Sequence, residues 1–182
     1  RLKRKFPKSE FVNLGMPGYS TERILSTIKG AFAKDAATDI KQELGSADLL
    51  IIDEGRNDYF EKGTPGLAVR NIKRLVALLS QKLSKDRKSS GPLIEIATLI
   101  PTNRSYQKPF IAAVNDLLYQ YSSDAIPVGF YFDTLPNSIL SFDGLHPNSP
   151  GYSVIAKFAA QIIQTDIQII SLDKRPDLDA DG

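Results

Sequence analysis

Cysteine is absent from this chain, so the fold carries no disulfide and the chemistry uses neither a thiolate nor a thiolate-held metal. No apolar run approaches the roughly 20 residues of a membrane span. Charge of one sign is also lacking: 23 basic residues against 21 acidic ones leave a net charge of +2. That balance gives no case for nucleic acid as an obligatory partner. The basic clusters RLKRK and KLSKDRK read as solvated helix faces. Histidine occurs once, as His146, so a single side chain has an unperturbed pKa suited to proton exchange near neutral pH. No signal peptide is visible. Compartment and oligomeric state stay open.

What is present is ordinary globular composition, with 42% hydrophobic and 24% charged residues in 182. A chain of this length holds one domain with a sizeable core. Residues 1–172 are expected to form it, and 173–182 to be a polar acidic tail. Apolar runs alternate with helical periodicity. Short strands are expected at Glu10–Leu14, Ala47–Asp53, Leu93–Ile100 and Ile126–Phe132. Helices are expected over Thr21–Phe32 with Thr21 as cap, Ala36–Leu44 closed by Gly45, Leu67–Leu83, Lys108–Tyr121 and from Ser149 to about Ile170, with Ser149 as cap. Such alternation means an open, mostly parallel α/β sheet with helices on both faces. Sites on these sheets lie beyond the carboxyl ends of the strands.

Three loops follow strands and so fall on that edge. The last, SFDGLHPNSPGY, carries Asp143 three residues before His146. A carboxylate at that spacing on a tight loop can reach the imidazole Nδ1–H, fixing the tautomer and leaving Nε2 as a base. The same residues also read, without chemistry, as an Asp-Gly turn ahead of a helix. Asn57, past a buried strand, offers an amide donor, and Gly18 a backbone N–H that a ligand can approach. Two donors aimed at one point make an oxyanion hole; an Asx turn and plain turn chemistry are the simpler accounts of them. Tyr59, Phe60, Tyr106 and Phe110 also follow strand ends. They suit an acyl or sugar pocket, or ordinary rim packing.

The arrangement resembles the SGNH (GDSL-type) hydrolases. VNLGMPGYST is similar to their second block, with Gly18 as the oxyanion glycine; DLLIIDEGRND to their third, with Asn57 as the oxyanion asparagine; DGLHPNSPGY to their fifth, with Asp143 and His146 as triad members. The resemblance runs from about Phe11 to Phe158. It implies a flavodoxin-like three-layer α/β/α sandwich and Ser-His-Asp hydrolysis of an ester-linked acyl group. The substrate would be a small-molecule, lipid or carbohydrate ester, and neither metal nor organic cofactor is implied.

One block of that pattern is missing. No G-D-S segment precedes Gly18, and the serine found there, Ser9, lies ahead of a strand rather than after one. The expectation is that the first strand and its serine precede Arg1, leaving residues 1–182 alone inactive and marginally stable. A catalytically silent binding or scaffold domain is the alternative. Ser20, on the Gly18 loop, is the stand-in nucleophile the chain offers. The end of the chain, Asp177, Asp179 and Asp181 before Gly182, matches the first half of a calcium loop, or is a solvated acidic tail.

Overall fold

The computed structural model describes residues 2–33, 38–85, 91–122 and 128–173. The acidic tail with Asp177, Asp179 and Asp181, and the expected helix start at Ala36, lie outside the described residues. Six helices and three strands follow one another as α1 (Leu2–Lys5), α2 (Thr21–Ala31), α3 (Asp39–Ser46), β1 (Leu49–Ile52), α4 (Pro65–Lys85), β2 (Leu93–Ala97), α5 (Lys108–Tyr121), β3 (Val128–Phe130) and α6 (Ser149–Asp173) among the described residues.

The strands form a parallel sheet in the order β1-β2-β3. Its two faces pack differently. Ile52, Ile94, Ile96 and Val128 meet α2, α4 and α5 through Ile28, Ile72, Val76, Leu79, Val114 and Leu118. Ala97 and Phe130 point the other way, onto Ala159 and Ile163 of α6, with Leu2 and Phe6 alongside. In the central strand Ile94 and Ile96 face one layer while Glu95 and Ala97 face the other, so β2 is buried on both faces, and the chain is a three-layer α/β/α sandwich.

Helices fall close to their expected places because apolar residues recur along one face, whereas strand ends depend on partners. The segment 10–14 pairs with no strand among the described residues. Phe11 and Val12 are 39% and 50% exposed, and the Asn13 side chain instead accepts the Gly15 N–H at 2.9 Å. β1 is shorter than its apolar run and is not fully buried: as a sheet edge with one neighbour it leaves Ile51 41% exposed. Gly45 lies inside α3 rather than closing it.

Two caps also differ from expectation. Ser20, not Thr21, is the residue before α2. Asn148, not Ser149, caps α6: its Oδ1 accepts the Gly151 N–H at 2.6 Å, while its Nδ2 donates to the carbonyls of Ser138 and Leu140 at 2.9 and 2.8 Å. Asparagine serves because its amide has both an acceptor and two donors. Gly151 is required by space: a Cβ there would lie 2.1 Å from the Ile139 carbonyl oxygen. This close approach fixes the start of α6 against the loop that holds His146.

Candidate active site

The His146 loop is a miniature hairpin. Leu140 and Pro147 form an antiparallel bridge, and the Ser141 N–H donates to the His146 carbonyl at 2.7 Å. Within it, Asp143 Oδ1 accepts from the Ser141 hydroxyl at 2.7 Å and from the N–H groups of Leu145 and His146 at 2.8 and 2.9 Å. Its Oδ2 lies 2.6 Å from His146 Nδ1. The hydrogen bond with His146 is the largest influence holding the Asp143 carboxyl well below the usual range, followed by those from Ser141 and the two backbone groups. An ionised carboxylate only accepts, so Nδ1 carries the proton and Nε2 is the free lone pair. The His146 side chain is 68% exposed, open to an incoming group.

The loop is clamped to the segment after β2. The buried Thr102 hydroxyl and the Asn103 N–H both donate to the Gly144 carbonyl, each at 2.9 Å. Arg104 Nε donates to the Asp143 carbonyl at 3.0 Å, and its Nη1 to the Tyr106 hydroxyl at 3.1 Å. That segment is in turn fixed by Asn115 of α5, whose amide exchanges bonds of 2.8 and 3.1 Å with the backbone of Leu99.

After β1 the chain makes a tight 3-10 turn, Arg56–Tyr59. Asn57 Nδ2 donates to the Tyr19 carbonyl at 3.0 Å, which orients the amide and leaves its second N–H free among the described residues. Tyr19 closes the turn Met16-Pro17-Gly18-Tyr19, its N–H donating to Met16 at 3.1 Å. Gly18 adopts a φ of +76°, the left-handed position of a type II turn after proline. Nothing lies within 4 Å of where its Cβ would stand, so its exposed backbone is approachable. Asp58, buried in the same 3-10 turn, accepts the Thr21 N–H at 2.9 Å and the Thr21 hydroxyl at 2.6 Å. A carboxylate at the start of α2 is favoured by the helix dipole. Asn71 completes the knot with a bond to Thr21 at 3.2 Å. Burial, with Asp53 and Asp58 adding their charge, pushes the neighbouring Glu54 carboxyl up to about 8.

The three sequence-predicted loops are thereby linked. Asn57 ties the Gly18 loop to the turn after β1, Arg56 reaches from that turn to the Ile100 carbonyl, and Thr102 and Arg104 join the segment after β2 to the His146 hairpin. Ser20 is engaged differently: its buried hydroxyl donates to Glu61, which also pairs with Arg23 at 3.4 Å. Arg104 and Thr102 were not legible as site residues, since a polar loop after a strand gives no sign of which side chains turn back onto a neighbouring loop. Among the described residues no group of three or more acidic or histidine side chains could hold a metal ion, and no helix is long and apolar enough to cross a membrane.

The family model for GDSL-like lipases and acylhydrolases matches residues 1–154. No curated protein matches the chain. Among solved structures, a protein assigned to the G-D-S-L lipolytic family from Desulfitobacterium hafniense DCB-2 superposes with a TM-score of 0.65 at 16% identity, covering 88% of this chain and 85% of its own. An acetyl esterase variant solved with acetate gives a TM-score of 0.58 at 18% identity, over 84% of this chain and 70% of its own. A carbohydrate esterase of family 3 from Talaromyces cellulolyticus gives 0.58 at 19% identity, over 91% and 77%. At these identities the likeness is one of fold.

Proposed function

Because the chain belongs to the GDSL-like lipase/acylhydrolase family, we propose that it cleaves an acyl ester by a Ser-His-Asp mechanism in which Asp143 and His146 are orienter and base. The observation that carries this is the 2.6 Å contact between His146 Nδ1 and Asp143 Oδ2 on an imidazole that is otherwise open to solvent. The serine attacks the ester carbonyl carbon while Nε2 takes its proton. The tetrahedral oxyanion is held by the Gly18 N–H and the free N–H of Asn57. The C–O bond then breaks, and the alcohol leaves with the proton from Nε2. Water repeats the sequence on the acyl-enzyme and frees the acid. Of these parts Asp143, His146, Gly18 and Asn57 belong to this chain.

In this proposal the nucleophile is a serine upstream of Arg1. Two features support that reading. Ser20 is committed to Glu61 and Ser141 donates to Asp143, so neither hydroxyl is offered to His146. The outer edge of β1 has no partner strand among the described residues and carries exposed Ile51, and exposed Phe11 and Val12 lie in a segment that pairs with no strand, which fits a further strand in the sheet. Fluorophosphonate labelling of this chain and of an upstream-extended chain tests it, with the modified peptide identified by mass spectrometry. Label on an upstream serine in the extended chain alone is the expected result. Label on neither points to a silent binding domain, and label on Ser20 moves the nucleophile to the Gly18 loop.

A further inference from the structure

Four aromatic side chains singled out by the sequence meet beside the candidate dyad. The Tyr59 ring lies 5.6 Å from Phe60 and 5.6 Å from Phe110, both edge-on, and 5.8 Å from Tyr106. Phe110 is buried and forms the floor, and Tyr59 is half-buried above it. Phe60 and Tyr106 stand 50% and 54% exposed at the rim. Tyr59 ends the 3-10 turn that begins at Arg56 and carries Asn57. Tyr106 is tied through Arg104 to the backbone of Asp143. The cluster therefore bridges the candidate oxyanion donor and the candidate base, where one side of a bound ester must lie.

Its chemistry is that of a wet platform rather than an enclosed groove. An acyl chain gains most from full enclosure in apolar surroundings, and here the rim rings are half in water with a guanidinium and a phenol at their edge. Arg104 Nη2 has no partner among the described residues, so that edge still offers donors. A pyranose matches both features, with a face of C–H bonds to lie on the rings and a rim of hydroxyls for Arg104 and the Tyr106 oxygen. We propose that Phe60, Tyr59 and Tyr106, with Arg104 at their edge, form a carbohydrate subsite that holds the alcohol side of a sugar ester. This rests on the ester-hydrolase reading for what the subsite serves, but not for whether it binds.

The test is titration of the chain with xylotriose, cellotriose and chitotriose, which carry no acyl ester, followed by saturation-transfer NMR. Saturable binding of at least one trisaccharide is expected, with transfer strongest at ring C–H protons. Tyr106→Ala should weaken it about five- to tenfold and Tyr106→Phe should keep most of it, since the stacking face survives. Phe60→Ala gives a second, independent loss from the other rim. No saturable binding of any of the three, or decanoate competing for the rings where sugars do not, would overturn the proposal in favour of an acyl groove. Sugar binding needs no nucleophile, whereas turnover is assayed in the upstream-extended chain: sugar binding with no ester turnover by the extended chain rejects the hydrolase reading alone, and turnover of a simple acetate ester by the extended chain without sugar binding rejects this one alone.

Discussion

Asp143 holds His146 through Oδ2 while its other oxygen gathers the Ser141 hydroxyl and two backbone N–H groups, so the carboxylate is fixed before the imidazole is. A base oriented this way loses most of its value when the carboxylate is replaced by an amide, because the amide can present an N–H to Nδ1 and favour the other tautomer. Asp143→Asn is expected to lower kcat by about 10³–10⁴ in a chain carrying its nucleophile, with His146→Ala at least as damaging. Ester turnover assayed beside circular dichroism checks it; unchanged kcat/KM in His146→Ala would remove the triad reading.

The two candidate oxyanion donors differ in kind, and their substitutions should differ too. Asn57→Ala removes a side-chain donor already oriented by the Tyr19 carbonyl, and should cost roughly 10²–10³ in kcat with little change in KM. Gly18→Ala keeps its N–H but forces a Cβ onto a backbone at φ +76°, so the turn relaxes or pays about 1 kcal/mol or more in strain. The expected signature is a lowered melting temperature together with lowered kcat, against a catalytic loss alone for Asn57→Ala.

Much of this was readable from the chain, for identifiable reasons. α5 runs from Lys108 to Tyr121 as its periodicity predicts, and the Asp143–His146 contact forms because both residues sit on one tight loop. These are local relationships. What failed was non-local. The segment 10–14 has a strand's composition but no partner strand among the described residues. Ser20, offered by the sequence only as a stand-in nucleophile, has its hydroxyl bound by Glu61, a partner distant in sequence. Thr102 and Arg104 look like ordinary loop residues until a hairpin some 40 residues on folds back over them. Pairing across the chain is set by topology, which composition does not encode.

Thr102 tests the clamp independently of the dyad. Its buried hydroxyl donates to the Gly144 carbonyl and accepts the Arg104 N–H at 3.2 Å. Thr102→Val keeps the shape and leaves that part-buried N–H without its acceptor, a cost of about 1 kcal/mol. If the clamp positions the hairpin, kcat falls while the dependence of rate on leaving-group pKa steepens, because His146 delivers its proton less well. Loss of stability with unchanged kcat would make Thr102 a packing residue only.

On the face of β2 that packs on α6, Glu95 and Asp166 are buried against each other, and Glu95 Oε2 and Asp166 Oδ2 have no hydrogen-bond partner among the described residues. Gly129 on β3 leaves the room: a Cβ there would lie 2.2 Å from Glu95 Oε2. Burial first, then the Asp166 charge and its hydrogen bond, raise the Glu95 carboxyl from 4.5 to about 7, and burial raises Asp166 as well. A raised carboxyl binds its proton more tightly folded than unfolded, so the folded state gains as pH falls and loses as pH climbs from about 4.5 through 7. By that linkage ionising Glu95 costs stability above neutrality relative to its protonated form. Glu95→Gln keeps a hydrogen-bond donor for Asp166 and removes the titration. Melting curves from pH 5 to 8 should show the unsubstituted chain losing stability with rising pH and Glu95→Gln losing less, its remaining slope coming from the raised carboxyls of Asp53, Glu54 and Asp166, with the two curves furthest apart at pH 8. Parallel curves would mean that water reaches the pair and both carboxylates ionise at little cost.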